Sequence, residues 1–197
     1  MSKKILGNSP RGKLFVVSAP AGTGKTTLVD MLLQEFPDSV VESCSSTTRH
    51  PRPSEVPEQH YEFISEEEFE RRIEADEFLE YAKVFSAYYG TRKQEVIKLE
   101  ESGKHVILVI DTQGALLVKQ KMSAVLIFIS PPSKEELRAR LFRRKTEDDE
   151  AIEQRLAWAE QEISMASHYD YHIVNDDLQL TYQILRSILI AEEHRVN

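Results

Sequence analysis

The segment APAGTGKT (residues 19–26) carries the residue types that a polyphosphate needs, in the order it needs them. Its spacing is that of a phosphate-binding loop, Gly-x-x-x-x-Gly-Lys-Ser/Thr, except that Ala19 stands at the first position. Gly22 and Gly24 are predicted to take positive φ and so turn several N–H groups inward. A helix starting near Lys25 would add the positive end of its dipole. Lys25 would reach the β- and γ-phosphates, and Thr26 would offer its hydroxyl to Mg²⁺. The loop from Ala19, Pro20 and Ala21 through Gly22, Thr23 and Gly24 to Lys25, Thr26 and Thr27 is therefore the predicted cradle of a nucleoside triphosphate. Alanine is tolerable at position 19 if it ends a strand with near-extended backbone. The competing reading is a plain flexible turn. The apolar strand pattern before the loop and the helical spacing after it argue against that.

A second cluster lies at SSTTRHPRP (45–53). The chain has 33 acidic residues against 25 Lys and Arg, a net charge of −8, yet this stretch holds Arg49 and Arg52 and no carboxylate. Two arginines on a proline-stiffened, hydroxyl-rich loop make a preorganised fork for a dianion. The donor already has its cradle, so a second phosphate site implies an acceptor that is itself phosphorylated.

These segments need a rigid frame. KLFVVSA (13–19), SVVESC (39–44), HVILVID (105–111), AVLIFIS (124–130) and YHIV (171–174) read as buried strands. Helices are predicted over 27–36, 93–102, 113–122, 135–144, 147–167 and 178–193, with Pro37 ending the first and Gly103 the second. Ser65 with Glu68, and Ser133 with Glu136, form capping boxes, the first opening a helix over 65–76. Strands alternating with helices predict an α/β fold, a five-stranded parallel sheet covered on both faces. Residues 45–96 break that rhythm and read as an insertion: loop over 45–60, extended and aromatic-rich over 77–90. One cysteine, Cys44, allows no internal disulfide and suits a reducing compartment. No apolar run approaches the length of a signal peptide or a membrane span. The acidic balance disfavours duplex nucleic acid, which needs a basic face. The expectation is a cytoplasmic protein with neither a membrane nor a nucleic acid as partner.

Several motifs in one order resemble guanylate kinase over about residues 12–191. SSTTRHPR (45–52) resembles that family's acceptor segment, followed by YEF (61–63), EFLEYA (77–82) and YYGT (88–91). VIDTQG (109–114), RLFRRKTEDDEAIEQRL (140–156) and DYHIVNDDL (170–178) follow in the family's order. The resemblance implies a three-layer P-loop kinase: a core of 12–44, 97–134 and 161–191, a GMP-binding region of 45–96 and a lid of 135–160. It implies transfer from ATP to GMP, with Mg²⁺, and deoxy-GMP as a further acceptor. Ser45, Arg49, Arg52, Tyr61 and Tyr89 would hold the GMP phosphate. Glu80 and Thr91 would read the guanine. Asp111 would lie at the transfer site, near the acceptor or, through water, the metal. Arg144 and Arg155 would reach the transferring phosphoryl from the lid. Arg140 and Asn175 would flank the adenine.

The chain departs from the family pattern at four places. Val109 replaces an acid, Ser54 and Glu58 replace glycines, and Lys145 replaces the lid glycine. None removes a group the reaction requires. Other charged and aromatic residues have plainer readings. Arg143, His50, His60 and His168 read as surface residues, Tyr88 as packing and Trp158 as a core anchor. Two rival functions are open to this architecture. A non-catalytic peptide-binding module has no use for Lys25 and Thr26. A GTP-driven switch needs a donor-base motif such as Asn-Lys-x-Asp, which this chain lacks.

Overall fold

In the computed structural model of the chain, which describes residues 4–51, 61–84, 86–143 and 149–196, the run LFVVS forms β1 (Leu14–Ser18), buried at all five positions. A strand buried on both faces must sit inside a layered sheet. The chain continues through α1 (Lys25–Glu35) and β2 (Val40–Glu42) into a second unit. That unit comprises β3 (Ser45–Thr47), β4 (Tyr61–Phe63), α2 (Glu66–Glu74), β5 (Phe78–Val84) and β6 (Ala87–Arg92). It then returns through α3 (Lys93–Glu101), β7 (His105–Val109), α4 (Thr112–Lys121), β8 (Ala124–Ser130), α5 (Lys134–Arg143), α6 (Asp149–Ser164), β9 (Tyr171–Val174) and α7 (Leu178–Glu193). The main sheet has the order β2-β7-β1-β8-β9, with every pairing parallel.

Alternate residues of β1 feed two cores. Phe15 and Val17 pack with Leu28 and Leu32 of α1 and Leu185 and Leu189 of α7. Leu14 and Val16 pack with Val96 of α3 and Ala115 and Val118 of α4. Each buried Val, Leu or Phe side chain among these contributes about 1.5–3 kcal/mol by leaving water. The expected five strands and both-face covering are present. Among the described residues no helix is long and apolar enough to cross a membrane.

The second sheet has the order β4-β3-β6-β5 and mixes parallel and antiparallel pairs. Residues 45–47, expected as loop, are strand β3. The apolar signal is missing there because the strand is built of hydroxyl residues. Ser46 and Thr47 are fully buried, and each donates a hydrogen bond, to Glu62 (2.6 Å) and to the Tyr88 carbonyl (2.8 Å). Arg72 of α2 grips Glu62 through two bonds of 2.7 and 3.1 Å, clamping helix to sheet. Ser65 caps α2 by accepting from the Glu68 N–H (3.1 Å), and Phe69 stacks on Phe78 (centroids 4.3 Å) and Tyr88 (5.1 Å). Leu79 of β5 enters the α3–α4 core, so this sheet is anchored to the main one.

Trp158 corrects an expectation: it is 66% exposed rather than a core anchor. The buried stripe of α6 is Ile152, Leu156 and Ala159, packed on Leu137 and Leu141 of α5. Trp158 lies about 100° around the helix from Ala159, off that stripe.

His105 at the start of β7 ties the two termini together. Its Nδ1 accepts from the Lys13 N–H (3.1 Å), and its Nε2 lies 3.4 Å from Glu193, whose carboxylate also accepts the N–H groups of Gly7, Asn8 and Ser9. Burial holds the His105 pKa below its ordinary value, and the Lys13 charge adds to this, while Glu193 pulls the other way. The unfolded chain therefore takes up the proton first, near pH 6.5, and stability attributable to His105 is lost as pH falls through that value. Urea midpoints should fall between pH 7.5 and 5.5 by more in wild type than in His105→Gln. Parallel profiles would assign the acid sensitivity elsewhere.

Candidate active site

Chemistry-bearing residues collect at the carboxyl ends of the parallel strands, where open α/β sheets bind ligands. The loop after β1 has the predicted geometry. Gly22 and Gly24 have φ of +89° and +97°, and no non-glycine residue of the loop has positive φ, so Ala19 needs no special backbone. Gly24 is the N-cap of α1, and Lys25 is its first residue. Lys25 Nζ folds back to 3.4 Å from the Ala19 carbonyl, while Thr26 and Thr27 are exposed on the first turn. Thr23 is fully buried, and its carbonyl accepts from Asn175 Nδ2 (2.6 Å). Arg140 of α5 donates to the Asn175 carbonyl (3.2 Å), so the two residues expected beside adenine adjoin each other and the loop.

The acceptor residues meet on the second sheet. Arg49 lies 4.9 Å from the centre of the Tyr61 ring, and Tyr61 meets Tyr89 edge-on at 6.0 Å. Ser45 pairs with Tyr61 in the β3–β4 ladder. Glu80 and Thr91 face each other across the β5–β6 hairpin. Both are buried, and the Thr91 hydroxyl donates to Glu80 Oε1 (2.6 Å), so Thr91 orients the carboxylate. Arg155 is exposed on α6. Arg52, Arg144, Ser54, Glu58, His60 and Lys145 lie outside the described residues.

Asp111 joins the two clusters. It follows β7 and caps α4, accepting from the Gly114 N–H (2.8 Å). Its carbonyl accepts from the Ser18 hydroxyl at the end of β1 (3.4 Å), and Gly114, which it caps, lies against Glu80. Burial raises the Glu80 pKa, and Asp111 adds to this against the Thr91 hydrogen bond. Burial lowers the Lys25 pKa, opposed by Glu162, Asp111 and Glu42. Val109, standing where the family has an acid, packs against the α1–α7 core.

Glu162 of α6 was not anticipated as part of this site. Burial raises its pKa to about 7, with Lys25 lowering it and Asp111 raising it. The sequence does carry a signal. Steps of four and three from Ile152 give Leu156 and Ala159, and one more step of three puts a carboxylate in line with the buried stripe. A cavity of about 770 Å³ lies at the other end of the sheet and takes no part. Its cations pair with carboxylates, Arg11 with Glu100 (3.2 Å), Lys13 and Arg195 with Glu192 (3.9 and 3.4 Å).

Residues 11–192 match the family model for guanylate kinase. The chain belongs to the guanylate kinase family. A guanylate kinase of Protochlamydia amoebophila (strain UWE25) is 57% identical over 191 residues, covering 97% of this chain and 96% of its own. One from Chlamydia trachomatis serovar D is 52% identical over 185 residues, covering 94% and 90%. The crystal structure of guanylate kinase from Anaplasma phagocytophilum superimposes with a TM-score of 0.76 at 34% identity, covering 98% of this chain and 91% of that one.

For a member of the guanylate kinase family, Gly114 has a testable consequence. A Cβ there would sit 3.0 Å from Glu80 Oε2 and 3.4 Å from Glu80 Cδ, so the carboxylate would have to shift by a few tenths of an ångström. A misplacement of a full ångström can cost about 10²-fold. Gly114→Ala should therefore raise the acceptor KM by roughly three- to tenfold, leave the ATP KM unchanged and preserve the melting temperature. Equal effects on both substrates would detach Gly114 from the Glu80 site.

Proposed function

We propose that the chain transfers the γ-phosphoryl group of ATP to GMP, giving ADP and GDP, with the loop at 19–27 holding the donor and the sheet of β3–β6 holding the acceptor. The observation that carries this reading is the place of Asp111: its carbonyl accepts from Ser18 at the entry to the 19–27 loop (3.4 Å), and its carboxylate accepts from Gly114, which packs against the buried Glu80–Thr91 pair. Phosphoryl transfer asks for positioning and for positive charge around the equatorial oxygens. Lys25 supplies such a charge from the loop, and Arg144 and Arg155 supply it from the lid over 135–160. Arg49 and Arg52, with Ser45, Tyr61 and Tyr89, hold the acceptor phosphate of the 45–96 region. Arg140 and Asn175 border the adenine side. Deoxy-GMP, which differs from GMP only at the ribose 2′-position, is read as a further acceptor.

Mg²⁺ fits the oxygen donors on hand. Thr26 offers a hydroxyl on the first exposed turn of α1, and Asp111 a carboxylate that would hold the ion through water. Among the described residues there is no cluster of three metal-ligating side chains. That suits an ion carried largely by phosphates and water. Bound there, it would neutralise charge on the β- and γ-phosphates. A peptide-binding module would have no reason to keep Lys25 half-buried and folded over the loop onto the Ala19 carbonyl.

Arg49→Ala tests the acceptor assignment. A charge-assisted bond to a phosphate dianion is worth roughly 1.5–3 kcal/mol, or about 10- to 150-fold in affinity. Calorimetry should show that loss for GMP and little change for ATP. Equal losses would mean that Arg49 serves the donor or the fold.

A further inference from the structure

We propose that Asn175 is a positioning residue for the phosphate-binding loop, holding it through the Thr23 carbonyl and linking it to the first lid helix through Arg140. This rests on the reading of that loop as the ATP phosphate cradle. Asn175 follows β9 and is 3% exposed. Its backbone is held from two sides. The N–H donates to the Ser130 carbonyl (2.8 Å), and the carbonyl accepts from Arg140 Nη2 (3.2 Å). With the backbone held, the side chain points at the loop, and Nδ2 donates to the Thr23 carbonyl at 2.6 Å.

The fit is close. A Cβ on Gly24 would lie 2.9 Å from Asn175 Nδ2, so the glycine that opens α1 is also the residue that admits the amide. Thr23 itself closes a turn on the Pro20 carbonyl (3.2 Å). The bond from Asn175 thus grips the loop where it passes from turn to helix. The N–H groups that would face phosphate lie on either side of that point.

The same arrangement reaches the lid. Arg140 is held by Glu136 (2.8 Å) on α5, and Leu141 and Leu137 of that helix would lie 3.0 and 3.4 Å from a Cβ on Gly22. Helix α5 therefore touches the loop twice, by apolar contact at Gly22 and through Arg140 and Asn175 at Thr23. An adenine-reading role alone gives no reason for the amide to be buried against the loop carbonyl.

Asn175→Ala and Asn175→Leu both remove the donor to Thr23 and leave the backbone bonds in place. The leucine keeps the volume should the alanine fail to fold. Losing one buried hydrogen bond to a loop is expected to cost about tenfold. In protein without added nucleotide, amides of residues 21–27 should exchange about tenfold faster. The ATP KM and the inhibition constant of inorganic tripolyphosphate should rise together by a similar factor, with the GMP KM unchanged. Tripolyphosphate has no base. If its inhibition is unaltered while the ATP KM rises, Asn175 serves the adenine and the proposal is wrong. Unaltered amide exchange in both variants would overturn it equally. The exchange arm needs no turnover, so it reads the brace even if the acceptor were not GMP.

Discussion

Replacing Lys25 by alanine should cut turnover by about 10²–10³-fold, the usual cost of removing one preorganised charge from a transferring group. The lysine is the first residue of α1, its ammonium is turned back over the loop toward Ala19, and the charges of Glu162, Asp111 and Glu42 oppose the effect of burial on its pKa. Burial already disfavours its charge there. A cation kept in such a place is one whose charge is used. The substitution removes no core side chain, so the melting temperature and the GMP affinity should hold. Turnover near that of wild type would contradict the assignment of this loop to the transferring phosphate. Loss of turnover together with loss of folding would show Lys25 to be structural.

Glu80→Gln should sharply lower kcat/KM for GMP and narrow the preference for GMP over AMP. Guanine presents two adjacent donors, N1–H and the N2 amino group, and a carboxylate accepts from both. Adenine presents a bare N1 and no amino group at C2. A buried carboxylate facing that lone pair would be left charged and unpaired. Sites built on such hydrogen bonds discriminate by about 10⁴–10⁵. The structure sharpens this expectation. Glu80 is 6% exposed, and its Oε1 is held by Thr91 at 2.6 Å. The glutamine can still accept from Thr91 through its carbonyl while turning an N–H toward the base. Stability should hold or rise, because a desolvated charge has gone. An unchanged GMP-to-AMP ratio would mean that Glu80 does not read the base.

Much of this site is legible in the sequence because its parts are local. The positive φ of Gly22 and Gly24 and the start of α1 at Lys25 follow from backbone chemistry within eight residues. The caps of Ser65 and Ser133 are equally local. What escapes depends on long-range burial. Strand β3 carries hydroxyls where a strand pattern looks for apolar residues, and its burial is made possible by Glu62 and Tyr88, 16 and 41 residues away. The Thr91 hydroxyl, expected to read the guanine, is engaged by Glu80 eleven residues off, which only the hairpin register brings about. Asn175 meets the loop across 152 residues. Glu162 shares its helix with Glu153, Arg155 and Glu160, all exposed, so its charge pattern alone looks ordinary. Trp158 misleads for the opposite reason: its size suggests a core, but its angular position on α6 turns it outward.

The central claim is that one cleft joins a triphosphate donor to a guanine monophosphate. The most direct test incubates the protein and Mg²⁺ with ATP labelled in the γ-phosphate and, in separate reactions, GMP, AMP, CMP and UMP, and then follows the label. The label is expected in GDP, with the other three acceptors labelled at rates lower by roughly 10⁴–10⁵-fold. Label released as inorganic phosphate whatever the acceptor, or transferred equally to AMP, would contradict it.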